Sequence, residues 1–195
     1  LALGANGAWW AGAPSLLCAL LAALSLGGAL LAWWPRERAS TPLLGLVVLT
    51  LPWLATLQFY LGWPLRVLTA QLSTWSLQLV GFAAARSGVT MVVDGRWVIV
   101  DAPCSGVQMA WLAYFTACGV AAALGQPERV FMRRAAWVGV IVLLGNVLRN
   151  SVLVALESRS AGLGPAWHEA IGLAVLAAVC GAVFAMVQHK GDRHA

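Results

Sequence analysis

The chain predicts an all-α integral membrane protein, a bundle of about six transmembrane helices (five to six by the windows below) with a short extracytoplasmic β-hairpin ahead of a cysteine-bearing helix. Three observations lead there. Apolar residues make up 61% of the sequence and charged residues 10%, against about a quarter charged in ordinary soluble domains. Apolar runs recur at the length of about 20 residues that a helix needs to cross about 30 Å of hydrocarbon. Finally, Asp94-Gly95 between two β-branched runs is a strong signal for a two-residue type I′ turn. The 195 residues are read as one multi-spanning domain over 1–195, because no stretch has the polar mix of a separate soluble domain.

The opening at Leu1 lacks the basic n-region of a secretory signal peptide, so targeting is expected to come from the spans themselves. Five windows meet the length test well, at residues 15–34, 42–61, 104–124, 135–156 and 165–188. Trp33, Trp34, Trp63, Trp137 and Trp167 fall near their ends, where amphipathic rings settle at headgroup level. The sixth window, 65–85, is interrupted by Arg66, Gln71, Ser73, Thr74, Ser76 and Gln78. It is either a span that turns its polar side into the bundle or a helix lying in the interface. The runs 89–93 and 96–100 then form the hairpin that leads into Pro103-Cys104. This hairpin is either a plain connector or a strand edge that pairs with an extended substrate.

Orientation follows from lysine and arginine in short loops. Arg129, Arg133 and Arg134, and the tail with Lys190 and Arg193, are expected on the cytoplasmic side. The hairpin and the starts of the Cys104 and His168 helices then share the extracytoplasmic face with the end of the Arg149 helix. Arg36 and Arg38 fit five spans better than six under the same rule.

The net charge of +5 is almost wholly arginine spread through short connections, which suits anionic lipid headgroups and argues against nucleic acid as a partner. Four cysteines without a CxxC pair indicate neither a disulfide framework nor a zinc site. No metal or cofactor is expected. Cys18, Cys118 and Cys180, mid-span among apolar neighbours, read as small core residues.

Chemistry-bearing groups on the remaining segments are few. Cys104 follows proline and precedes Ser105-Gly106, a placement in or just before a first helical turn, where unpaired N–H groups and the helix dipole favour a thiolate. Arg149 lies at bilayer depth, where a charge costs several kcal/mol and usually serves a function, with Asn146 and Asn150 adding polar groups to its helix. A plainer alternative has Arg149 reaching the headgroups from a helix end. His168, beside Glu169 at the opening of the last window, carries an imidazole, a group that can take and give protons. Thiol, guanidinium and imidazole together are what thiol acyl transfer requires. Ser105 with His168 as an intramembrane serine protease is a second possibility. A non-catalytic channel, carrier or scaffold built around Arg149 is a third.

The stretch through Trp63-Pro64-Leu65-Arg66, the Asp94-Gly95 hairpin, Pro103-Cys104-Ser105-Gly106, Asn146-Val147-Leu148-Arg149-Asn150 and Trp167-His168-Glu169 resembles the exosortase/archaeosortase family. The resemblance implies a membrane-embedded cysteine protease or transpeptidase that cleaves the C-terminal sorting signal of exported proteins at the outer membrane-water interface. It implies Cys104 as nucleophile through a thioacyl intermediate, Arg149 as transition-state stabiliser and His168 as acid/base. Asn146, Asn150, Ser105, Arg66 and Glu169 are the accompanying candidates for substrate binding or support. The implied substrate carries a terminal motif, a membrane span and a basic tail. Membrane lipid surrounds the enzyme, and the implied location is the cytoplasmic (inner) membrane, multi-pass, with the site facing outward. Gln108 departs from the basic residue that members often carry shortly after Cys-Ser-Gly.

Overall fold

A computed structural model describes residues 14–159 and 164–189, with Gly7 and Gly12. Helices α1 (Ser15–Trp33), α2 (Thr41–Leu49) and α3 (Trp53–Leu79) come first, then strands β1 (Ala84–Ser87), β2 (Thr90–Val93) and β3 (Arg96–Ile99). A 3₁₀ turn (Ala102–Ser105) leads into α4 (Val107–Leu124), α5 (Glu128–Arg159) and α6 (Pro165–Gln188). The chain is thus mostly helical, with six helices, of which fewer than the expected five to six meet the length and apolarity of a span. Among the described residues, three helices (α4, α5 and α6) are long and apolar enough to cross a membrane, or four spans result if α2 and α3 count as one broken span.

Helix α1 falls short of a span by the length of its described apolar stretch, Leu17–Trp33, and proline explains the rest of the difference. The window 42–61 does not form one helix, because Pro52 has no N–H to continue α2 and disfavours helical geometry at Leu51. Pro64, where composition divided two windows, lies instead inside the 27-residue α3. Of the polar residues in the ambiguous window, Ser73 and Thr74 turn inward, Arg66, Gln71 and Ser76 are half-buried and Gln78 is exposed. Thr69, Ser73 and Thr74 are buried while Trp75 and Leu79 are exposed, and the helix meets the length and apolarity of a span only together with α2, from which it is bent by 92°. Arg129, Arg133 and Arg134, placed by the windows in a loop, occupy the first turns of α5.

The chain divides into two compact units, Leu1–Trp53 with Tyr114–Trp137 and Val183–Ala195, and Leu54–Ala113 with Val138–Ala182. In the first, helix ends are closed by side chains from other helices. The Glu128 carboxylate accepts the Ser40 and Thr41 N–H groups at 3.0 and 3.4 Å, and the Thr41 hydroxyl. An acid here matches both the orphan donors and the positive dipole end of α2. Arg134, only 9% exposed, donates to the Val187 and His189 carbonyls at 2.7 and 2.5 Å, and the Gln126 amide also donates to Val187. A buried cation is tolerated there because the carbonyls at the end of α6 receive its protons.

The second unit contains the sheet. Its order is β1-β2-β3, antiparallel throughout, with Thr90 opposite Ile99 and Val93 opposite Arg96. The predicted turn forms at Asp94-Gly95 with φ of 48° and 82°, the two positive values that type I′ requires. Strand β1 was not foreseen. Its run Ala-Ala-Arg-Ser lacks β-branched residues, and tertiary bonds hold it: Arg86 donates to Gln71 at 2.6 Å and the Gln78 amide donates to the Ala84 carbonyl at 2.7 Å. Met91, Val93, Val98 and Val100 form the buried face and pack with Ala70 and Leu77 of α3, Val154 of α5, and Cys104. Helices α5 and α6 approach closely at Gly145, where a Cβ would overlap Val179.

Candidate active site around Cys104

Cys104 is fixed by the turn that carries it. Its N–H donates to the Asp101 carbonyl at 2.9 Å, the 3₁₀ turn ends at Gly106 with φ 81°, and α4 starts at Val107. The left-handed residue reverses the chain between thiol and helix, so Cys104 precedes α4 and is no part of its first turn. A Cβ at Gly106 would lie 2.9 Å from both Cγ and Nδ2 of Asn146, so glycine is required by backbone conformation and by close approach alike. That approach lets Asn146, itself 3% exposed, donate from Nδ2 to the Cys104 carbonyl at 2.9 Å and to the Thr69 hydroxyl at 3.0 Å. Asn146 thereby ties α5 to the cysteine turn and to α3. Its Oδ1 is buried without a hydrogen-bond partner among the described residues.

The thiol environment differs from the expected low-pKa cysteine. Cys104 is 4% exposed, and burial pushes its thiol above the ordinary range. The positive charge of Arg149 pulls in the opposite direction, Asp101 adds to the rise, and burial outweighs the rest. A nearby helix start favours the thiolate, but the apolar side chains of the sheet packed with Cys104 outweigh it.

Arg149 lies one turn beyond Asn146 on α5, half-buried. Its guanidinium rests on Gly172 of α6, where a Cβ would come within 3.1 Å of Nε and Nη2. His168 stands one turn before Gly172 on the same side of α6, also half-buried. Arg149, Glu169, Gly172, Gln108, Met109 and Leu173 are among the residues lining a cleft of about 230 Å³. Cys104 and His168 are not among them. The structure therefore ties Cys104, through Asn146, to the helix that carries Arg149 and lays Arg149 against the helix of His168, and no hydrogen bond joins the His168 ring to Cys104 among the described residues.

The supporting candidates separate. Ser105 is buried at 4% exposure and its hydroxyl donates to the Gln58 amide oxygen at 2.9 Å, while the Val107 N–H approaches the same hydroxyl at 3.4 Å. That is the bonding of a residue that starts a helix. Asn150 is buried and directs Nδ2 toward the Met91 sulfur at 3.8 Å, bracing α5 on the sheet. Arg66 bonds within its own helix, Nε to the Gly62 carbonyl at 3.3 Å. Glu169 shares the cleft with Arg149. Gln58, Thr69, Gly106 and Gly172 were missed. Gln58, Gly62, Arg66, Thr69 and Ser73 recur at helical spacing on one face of α3, a signal that dividing the chain at Pro64 concealed. Among the described residues no group of three or more histidine, cysteine or acidic residues is placed to hold a metal ion.

No curated protein and no solved structure matches the chain. The family described as transmembrane exosortase matches residues 1–185, nearly the full length, and with its apolar spans this makes the protein multi-pass in a membrane and suggests a membrane protease or transpeptidase. By that match, and in agreement with the Cys-Ser-Gly turn packed beneath an Asn-x-x-Arg helix, the chain belongs to the transmembrane exosortase family.

Proposed function

We propose that this protein is a cysteine peptidase or transpeptidase that cleaves the C-terminal sorting signal of exported proteins at the extracytoplasmic surface of the cytoplasmic membrane. The observation that carries the reading is the hydrogen bond from Asn146 to the Cys104 carbonyl: one helix, α5, both holds the cysteine turn and bears the Arg149 guanidinium three residues on. In the proposed reaction the Cys104 sulfur attacks the scissile carbonyl and its proton passes to His168. Arg149 donates to the oxyanion, a role in which one well-aimed donor is typically worth a few kcal/mol. Collapse breaks the C–N bond, His168 protonates the departing amine, and a thioacyl enzyme remains for water or an amine acceptor. The raised thiol pKa keeps the resting sulfur protonated, so attack requires the base. The partner is an exported polypeptide with a terminal motif, a membrane span and a basic tail that holds the cleavage site near the interface.

Ser105 is the weaker nucleophile on this geometry, because its hydroxyl proton is held by the Gln58 amide, which is not a base. The test is a cleavage assay on an exported reporter with such a tail in cells carrying wild-type, Cys104→Ser or Ser105→Ala protein. Trimming should vanish in the Cys104 variant and persist in the Ser105 variant. The opposite pattern, or trimming by Cys104→Ser at the wild-type rate, overturns the assignment.

A further inference from the structure

The sheet ends at β3, and the hydrogen-bond parity of the hairpin fixes which groups that edge presents. The Val100 N–H donates to the Val89 carbonyl at 2.9 Å. With the register of β2 and β3, this makes Met91/Val98 and Val93/Arg96 the hydrogen-bonded pairs, and Thr90/Ile99 and Val92/Trp97 the others. The N–H and C=O groups of Trp97 and Ile99 therefore point away from β2, and no strand pairs with them among the described residues. Their side chains lie on the face of the sheet opposite the buried one, 73% and 61% exposed. Such an edge invites strand addition unless something blunts it.

We propose that this edge is where the substrate's main chain docks: an extended segment preceding the scissile bond pairs with Trp97 and Ile99, adding a fourth strand. The proposal rests on the reading of Cys104 as the nucleophile and commits the edge to the same polypeptide. Continuity with the site carries it. Val98 and Val100 pack in one cluster with Cys104, and the chain passes from Ile99 to Cys104 in five residues, a reach of at most about 17 Å. A peptide aligned on β3 is thereby held within a short reach of the turn that carries the sulfur. Recognition through backbone groups accepts varied side chains, with Trp97 and Ile99 offering apolar contact to alternate residues. It also reorders the substitutions that matter. Proline at Val98 breaks the native ladder, because that N–H faces β2, whereas proline at Ile99 removes an outward donor and leaves the ladder whole. Val98 is already extended, as a residue before proline must be.

The experiment uses the reporter trimmed in a Cys104-dependent way. Ile99→Pro should raise its KM about five- to tenfold, with kcat and the Cys104 alkylation rate near wild type. An unchanged KM overturns the edge and leaves the cysteine reading standing. Trimming that survives Cys104→Ser removes that reading, and the occupant with it. A second measurement covers an Ile99 variant that misfolds: proline moved one position at a time through the five reporter residues before the cut should raise KM with a period of two. A flat or monotonic profile overturns the proposal. A Trp97→Cys chain that oxidises readily to a disulfide-linked dimer in membranes assigns the edge to a second copy, and also overturns it.

Discussion

Replacing Gly172 with alanine separates the two roles open to Arg149, catalytic donor or headgroup anchor. The new Cβ would sit 3.1 Å from Nε and Nη2 of Arg149 and 3.4 Å from Cζ. Ordinary contact begins near 3.5 Å, so the guanidinium must retreat by about 0.4 Å. It can do so, being the far end of a flexible side chain. Gly172 is inside α6 and carries no positive φ, and alanine there favours the helix by up to about 1 kcal/mol. The two effects have opposite signs. A misplacement of 1 Å at a reacting centre can cost about a hundredfold in rate, so a shift of about 0.4 Å should lower kcat about tenfold. Cleavage of the reporter and thermal unfolding in detergent measure the pair. Unchanged or raised thermal stability with kcat down about tenfold is the expected result. Wild-type kcat in an equally stable variant would refute the placement of Arg149 over the reacting carbonyl.

Gly106→Ala should be destabilising, because the left-handed backbone costs about 1–2 kcal/mol for an L-residue and displacing Asn146 risks two hydrogen bonds of about 1 kcal/mol each. A loss of about 3 kcal/mol in equilibrium unfolding is expected, and a loss below about 1 kcal/mol would show that the turn has another shape. Cys104 alkylation by a neutral reagent should rise with pH through a midpoint above that of an ordinary thiol, since burial disfavours the thiolate. Arg149→Ala removes the charge that pulls the other way and should move the midpoint higher still; a lower midpoint in that variant contradicts the coupling. Arg149→Lys should fail to restore reporter cleavage, because an ammonium lacks the planar fork of donors. Near-full activity with lysine would reduce the residue to a charge.

Several elements were legible before any tertiary information. Helices α4 and α6 follow from uninterrupted apolar runs, and the Asp94-Gly95 turn from the requirement for two positive φ values. Cys104, Arg149 and His168 stood out as candidates because reactive or charged groups are scarce on greasy segments. Helix ends were harder. Composition reports apolarity but not continuity, so it divided α3 at Pro64 and ran through the break at Pro52.

What the sequence by itself determined is the membrane class, the hairpin turn and the identity of the candidate chemical groups, since each depends on local composition or on one residue's backbone preference. Tertiary structure alone decided that Asn146 holds the cysteine turn, that Ser105 spends its hydroxyl on Gln58, that Gly172 seats Arg149, and that Cys104 is buried and its thiol raised. Those outcomes depend on which segments distant in the chain become neighbours. Solvation and charge coupling act through space, so a thiol next to a helix start in sequence can still be governed by the valines of a sheet folded over it.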